Sequence, residues 1–351
     1  MGRRVAGIAV ALAATAAVVS YAVAARGTGT SSTATAVGAY RLPDGSVVAV
    51  VPRVGGLRVV DYATGALRNL ESGTLDTPDA RRIPLRVLPA SFADGRVRLT
   101  GRLLVPHGAG PFPAVVVVPG SIKATRESYD LWAYFFATRG FAVLSYDKRG
   151  VGASTGKYTS EPSKGNIKNL AADAVAAVAW LRTRANVDPA RIGLSGGSQA
   201  GWVIPLAASR SRGVAFATIQ SGPAMSVGRQ RAYALLTHEG ALEPPPSEAD
   251  VQSALAAQPD AGFDPRPALT ALRIPVLWQL GAVDKRQYTP ETVANLDAIA
   301  SPSFTVRVYP RGAHSLRDTA NGLQSEEATS PGFVAGLFGD LAAWLDVNAG
   351  K

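Results

Sequence analysis

The 351-residue sequence has no cysteine and only three histidines. Without cysteine there can be no disulfide, no thiolate metal site and no lipidated N-terminal cysteine, and the compartment must be argued from the N-terminus alone. So few histidines beside no cysteine leave too few ligands for a structural zinc site, and the sequence calls for no metal and no cofactor. A block of Lys/Arg with interleaved aromatics is also missing. The formal charge of +10 comes from 36 Lys and Arg scattered among 26 Asp and Glu, which describes a solvated basic surface rather than a nucleic-acid site. Weak attraction to anionic lipid or cell-wall polymer is compatible with it. What is abundant is apolar side chain, 47% of the chain, enough for one large domain with an accessory piece.

Composition changes along the chain. Arg3 and Arg4 precede an uncharged apolar run from Val5 to Ala25, with Ala22-Val23-Ala24 as a small-x-small site. Residues 1–25 therefore read as a signal peptide or an uncleaved N-terminal membrane anchor, and the protein as exported, either secreted or held at the cell envelope. The Ser/Thr/Gly-rich residues 26–38 read as a flexible linker. Between 39 and 82, short β-branched runs alternate with the turn signals Asp44-Gly45, Gly55-Gly56 and Thr64-Gly65, which predicts a small β-rich module.

From residue 83 to 351 the pattern becomes that of an α/β domain. "PAVVVVPG", "FAVLSYD", "RIGLSG", "VAFATIQSG", "PVLWQLG" and "FTVRVYP" are apolar runs of the kind found in parallel strands buried on both faces. "SYDLWAYFFATRG" and "NIKNLAADAVAAVAWLRTRA" alternate with them as amphipathic helices. Residues 223–272 interrupt this rhythm with helical patches and no strand, as expected of a lid inserted after a strand end. A surface excursion packed on the sheet edge is the alternative.

The chemistry centres on "RIGLSGGSQAGW", residues 191–202. The nucleophile-elbow pattern G-x-S-x-G fits Ser195 literally and misses Ser198 only because Ala200 replaces the second glycine. An elbow, however, is a strand, a strained turn and a helix start. With Ser198 at the turn, "RIGLSG" is the strand and "QAGWVIPLAASR" the helix. With Ser195 there, the strand shrinks to three residues and two glycines fall in the first helical turn. Ser198 is thus the candidate nucleophile, and Ser195 a small residue inside the strand. Pro205 should kink the helix.

A serine needs a base and the base an orienting acid. His107 lies in a loop between early strands and His238 in the candidate lid, whereas His314 follows "FTVRVYP" at the strand edge where an open α/β sheet builds its site. Asp284 follows "PVLWQLG" at the same edge. The order Ser198, Asp284, His314 is that of the α/β hydrolases.

From about residue 86 to 345 the chain resembles the α/β-hydrolase superfamily, in its serine-esterase, dienelactone-hydrolase and serine-aminopeptidase-like branches. The likeness is carried by "VVVVPGS" at 115–121, "YDKRGVGAST" at 146–155, "GGSQAG" at 196–201, "LGAVD" at 280–284 and "GAH" at 312–314. The resemblance implies a mostly parallel eight-stranded sheet and a hydrolytic serine triad. It also implies an oxyanion hole made by the main-chain N–H groups of Ser121 and Gln199, and a bracing role for Asp147 and Arg149. Where many relatives carry histidine and glycine, this chain has Pro119 and Ile122; the second change narrows the mouth. The expected function is a serine hydrolase cleaving carboxylic esters of a small-molecule acyl substrate. A peptidase or amidase, an acyltransferase, and an inert cell-envelope binding protein are the alternatives.

Overall fold

A computed structural model describes residues 36–70, 75 and 77–349. The signal or anchor expected at 1–25, and all but the end of the expected linker, lie outside them. Among the described residues no helix is long and apolar enough to cross a membrane.

Strands β1 (Gly38–Arg41), β2 (Val47–Arg53), β3 (Gly56–Asp61), β4 (Leu67–Leu70) and β5 (Arg81–Arg82) form an antiparallel sheet in the order β4-β3-β2-β1-β5. The two-residue period of a strand divides β2 between two apolar clusters. Ala49 and Val51 join Val60 and Tyr62 against Tyr134, Phe135 and Phe338 of the main body, while Val48 and Val50 pack with Leu57, Val59 and Leu70 on the outer side. Tyr62 is the anchor of this joint. Its ring meets Phe135 and Phe338 edge-on, with centroids 5.3 and 5.1 Å away.

The main sheet contains β6 (Leu85–Asp94), β7 (Val97–Pro106), β8 (Phe112–Val117), β9 (Ala142–Tyr146), β10 (Val187–Gly197), β11 (Phe216–Gln220), β12 (Val276–Gly281) and β13 (Phe304–Tyr309). Their order is β6-β7-β9-β8-β10-β11-β12-β13. Strand β7 runs antiparallel to both its neighbours, and every other adjacent pair is parallel. The unbroken valines of β8 are explained by burial on both faces: Ala114 and Val116 enter one core cluster, Val115 and Val117 the other. Each such valine is worth about 1.5–3 kcal/mol relative to exposure. Helices Lys164–Leu181 and Ala200–Arg210 cover the first face, and Asp130–Thr138 and Leu337–Asn348 the second. Helix Ala200–Arg210 is continuous through Pro205.

Residues 223–272 carry helices Val227–Leu236, Glu248–Ala256 and Arg266–Ala271 and no strand. The first two close a small cluster of their own around Met225, Tyr233, Val251, Leu255 and Tyr288. The third is part of the body, because Leu269 is fully buried in the core of the main sheet.

Candidate active site

All chemistry-bearing residues of interest lie at the C-terminal ends of β8 to β13, where parallel strands leave main-chain groups and loops free to converge. Strand β10 shows how sharply the environment changes there. Ser195 stands in the ladder between Val117 of β8 and Thr218 of β11. It is 1% exposed, and its Oγ accepts a hydrogen bond from Thr218 Oγ1 at 2.8 Å. Three residues later Ser198 has left the ladder with φ of 57°, in the left-handed region that costs a side-chain-bearing residue about 1 kcal/mol or more. Two main-chain bonds hold it there: its N–H donates to Gln220 O at 2.9 Å, and its carbonyl accepts from Gly201 N at 2.8 Å. The missing glycine of the motif is compensated across the turn. A Cβ on Gly196 would sit 2.8 Å from the Ala200 methyl and 2.6 Å from Val118 O, so the methyl is tolerated at 200 because 196 has none.

His314 lies in the tight turn after β13, closed by Leu316 N donating to Ala313 O at 3.0 Å. Its Nε2 is 3.0 Å from Ser198 Oγ and its Nδ1 is 2.8 Å from Asp284 Oδ2. Asp284, fully buried at the side chain, uses its other oxygen to accept from the main-chain N–H groups of Arg286 at 2.7 Å and Gln287 at 3.0 Å. An ionised carboxylate only accepts. The imidazole therefore presents Nδ1–H to Asp284 and the bare Nε2 to the serine hydroxyl, the tautomer a general base needs. The Asp284 and His314 loops approach closely because Gly281 ends β12: a Cβ there would fall 2.1 Å from Gly312 O. His107 and His238 are exposed, and neither bonds to Ser198.

The main-chain N–H groups of Ser121 and Gln199 donate to no other described residue. Gln199 precedes the first turn of helix Ala200–Arg210, and Ser121 sits in the loop after β8. Tyr129 Oη accepts from Gly120 N at 3.0 Å. Tyr158 donates its hydroxyl to Ser121 O at 2.8 Å. Main-chain donors left unpaired in this way are able to stabilise negative charge on an oxygen brought to them. Ile122, the residue after Ser121, is 38% exposed at the rim.

Asp147 and Arg149 brace this edge. Asp147 accepts from Arg126 Nη2 and Ala153 N, both at 2.8 Å, and Arg149 pairs with Asp173 at 2.7 Å and Asp94 at 2.6 Å. Burial pushes the Asp173 carboxyl up to about 6, with Arg149 opposing. The insertion grips the acid loop from above: Tyr233 Oη donates to Asp284 O at 2.7 Å, Gln230 Nε2 to Arg286 O at 2.6 Å, and Thr237 Oγ1 to Lys285 O. Burial, and then the Asp284 charge, hold the Tyr233 phenol well above its ordinary range. Sequence reasoning passes over Tyr233, and also Lys148, which lies fully buried between Asp147 and Arg149. The available signal for Lys148 was its place one residue beyond "FAVLSYD", where side chains of a parallel sheet turn toward the site. Among the described residues, no three histidine, aspartate or glutamate side chains converge to hold a metal.

Comparison with known proteins agrees with this architecture. A sequence profile of the X-Pro dipeptidyl-peptidase family, S15, matches residues 94–264, a span that includes Ser198 but stops short of Asp284 and His314. Esterase FrsA of Escherichia fergusonii is 34% identical over 85 residues, which are 24% of this chain and 20% of that protein. Esterase FrsA of Escherichia coli is 36% identical over 77 residues, 22% and 19% of the two chains. The chain thus spans only about a fifth of the length of these curated relatives. Among solved structures, an esterase of Pyrococcus furiosus superposes with a TM-score of 0.55 at 16% identity, covering 76% of this chain and 92% of that one. An acylaminoacyl peptidase of Pyrococcus horikoshii gives 0.54 at 13% identity, covering 88% and 55%. These likenesses show the fold.

Proposed function

We propose, from the premise that the chain is a serine hydrolase of the α/β-hydrolase superfamily, that it cleaves carboxylic esters through an acyl-enzyme on Ser198. The observation that carries this reading is the continuous chain from Ser198 Oγ to His314 Nε2 at 3.0 Å and from His314 Nδ1 to Asp284 at 2.8 Å, with the unpaired N–H of Gln199 on the next residue and that of Ser121 in the loop after β8. In the first step the Ser198 proton passes to His314 Nε2 as Oγ bonds to the acyl carbon, and the carbonyl π pair moves onto oxygen. The N–H groups of Ser121 and Gln199 hold that oxyanion while Asp284 stabilises the imidazolium. Collapse breaks the bond to the alcohol oxygen, which leaves with the proton from His314. Water then repeats the sequence in reverse, releasing the acid and free Ser198.

Cleavage of an amide is the second reading, favoured by the S15 profile match. The two separate on one purified protein assayed with p-nitrophenyl butyrate and with an X-Pro p-nitroanilide. Ester hydrolysis predicts that kcat/KM on the ester exceeds that on the anilide by at least about 100-fold and that Ser198→Ala abolishes it. The opposite preference would make the protein a peptidase. We further place the protein outside the cytoplasm, secreted or anchored at the envelope, on the arginines and apolar run of residues 1–25. Fractionation of cells expressing the full chain tests this; activity confined to the cytosol contradicts it.

A further inference from the structure

Lys148 is 1% exposed, and no carboxylate lies within ion-pair distance of it among the described residues. Its ammonium instead donates to Gly120 O at 2.6 Å, Ser121 O at 3.2 Å and Gln199 Oε1 at 2.9 Å. Three donors thus meet three neutral oxygens. Because a lysine only donates, the Gln199 amide must turn its oxygen to Nζ. Burying an ammonium among neutral groups is costly, and burial pushes Lys148 down to about 7 although Asp173 acts in the opposite direction. Packing alone would be served as well by methionine or leucine.

The identity of the oxygens explains why a charge sits there. The Gly120 carbonyl belongs to the same peptide unit as the Ser121 N–H. A cation bonded to that carbonyl draws electron density from the amide and makes its N–H a stronger donor, as in any chain of hydrogen bonds that polarise one another. It also fixes the peptide plane, and with it the direction of the N–H. The third bond ties the same ammonium to the side chain of Gln199, whose main-chain N–H is the other unpaired donor. The two loops that carry these donors come from β8 and β10, and among the described residues Lys148 is the single side chain bonded to both.

We infer that Lys148 is a positioning residue for the oxyanion hole, holding the Ser121 and Gln199 amides in register and polarising the first of them through the Gly120 carbonyl. The inference rests on the ester-hydrolase reading. It assigns to Lys148 an effect that appears when negative charge develops on the acyl oxygen and not when the ester first binds.

The test compares wild-type protein with Lys148→Met at pH 6, below the value of about 7 to which burial pushes Lys148, so that the ammonium is present, with rates normalised to the sites that a fluorophosphonate titrates. Three quantities are read: kcat and KM on p-nitrophenyl butyrate, and inhibition by an aryl trifluoromethyl ketone. Ser198 adds to that ketone to give an alkoxide in the same hole, its proton passing to His314. We expect kcat to fall by about 10- to 100-fold, KM to stay within about threefold, and ketone affinity to fall in parallel with kcat. As the chain has no cysteine, Lys148→Cys offers a second variant independent of how Lys148→Met folds. Alkylated while unfolded with 2-bromoethylamine and refolded, it regains a lysine-like ammonium as sulfur displaces bromide; alkylated with iodoacetamide, it stays neutral. Recovery of kcat in the first adduct and not the second supports the assignment. A kcat changed by less than about threefold in Lys148→Met, equal rates from both adducts, or a rise in KM with unchanged ketone affinity overturns it. If wild-type protein itself neither labels nor hydrolyses the ester, it is the underlying reading that fails.

Discussion

Strand β10 holds one serine, Ser195, and a second, Ser198, follows its last residue; the two environments share almost nothing. Ser195 is inside a parallel ladder, its hydroxyl spent on Thr218, where the sheet is rigid on both faces. Ser198 sits one step past the end of the same strand, half-buried, strained at φ 57° and with its hydroxyl bonded to His314. The interior of the sheet fixes position; its C-terminal edge gathers the side chains of the proposed site. The strained Ser198, the close approach of Gly281 to Gly312 and the buried Lys148 all lie at that edge.

The largest effect that sharpens this contrast is expected at the edge. Ser198→Ala should cut kcat on an aryl ester by about 10⁴-fold or more, read by steady-state kinetics. Asp284→Asn leaves the hydrogen bond but presents His314 with a group that no longer only accepts. It should cost about 10³- to 10⁴-fold in kcat, with far-UV circular dichroism unchanged. Gly281→Ala puts a methyl where Gly312 O already lies at 2.1 Å. Thermal unfolding should show a loss of about 1–3 kcal/mol, with kcat falling as the acid loop is pushed from the histidine.

An effect on stability that varies with pH follows from Lys148, which burial holds at about 7 against an ordinary 10.5. Between those values the unfolded chain binds a proton that the folded chain lacks, so stability rises with pH across the window, by up to about 1.4 kcal/mol per pH unit. Below about 7 both states carry the proton and this contribution is level. Urea unfolding of Lys148→Met from pH 7 to 10 should lack that rise; an unchanged slope would break the link to Lys148. The smallest effect belongs to the interior. Ser195→Ala removes one hydrogen bond worth about 1 kcal/mol and should leave kcat within about threefold. A larger loss of turnover would mean that interior and edge are not separable.

The fold was legible because burial on both faces erases the usual alternation of a strand, and the runs at β8, β9 and β10 carry that mark directly. The three side chains that the structure brings together are those the sequence singles out, since three histidines left little choice and strand ends placed the rest. The insertion was legible as an interruption of the strand rhythm, but the assignment of its last helix was not: Leu269 belongs to the core for reasons of packing that no local pattern encodes. The roles of Lys148 and Tyr233 were not legible for a related reason. Each acts on main-chain oxygens of residues far away in sequence, Gly120 and Ser121 for one and Asp284 for the other, and main-chain acceptors leave no residue-type signature.

The central claim is that the strand end, and not the literal motif, selects the nucleophile. Peptide mass mapping of the fluorophosphonate adduct on the full chain tests it most directly. The account predicts a single adduct on Ser198, absent from Ser198→Ala and retained in Ser195→Ala. An adduct on Ser195 would contradict it.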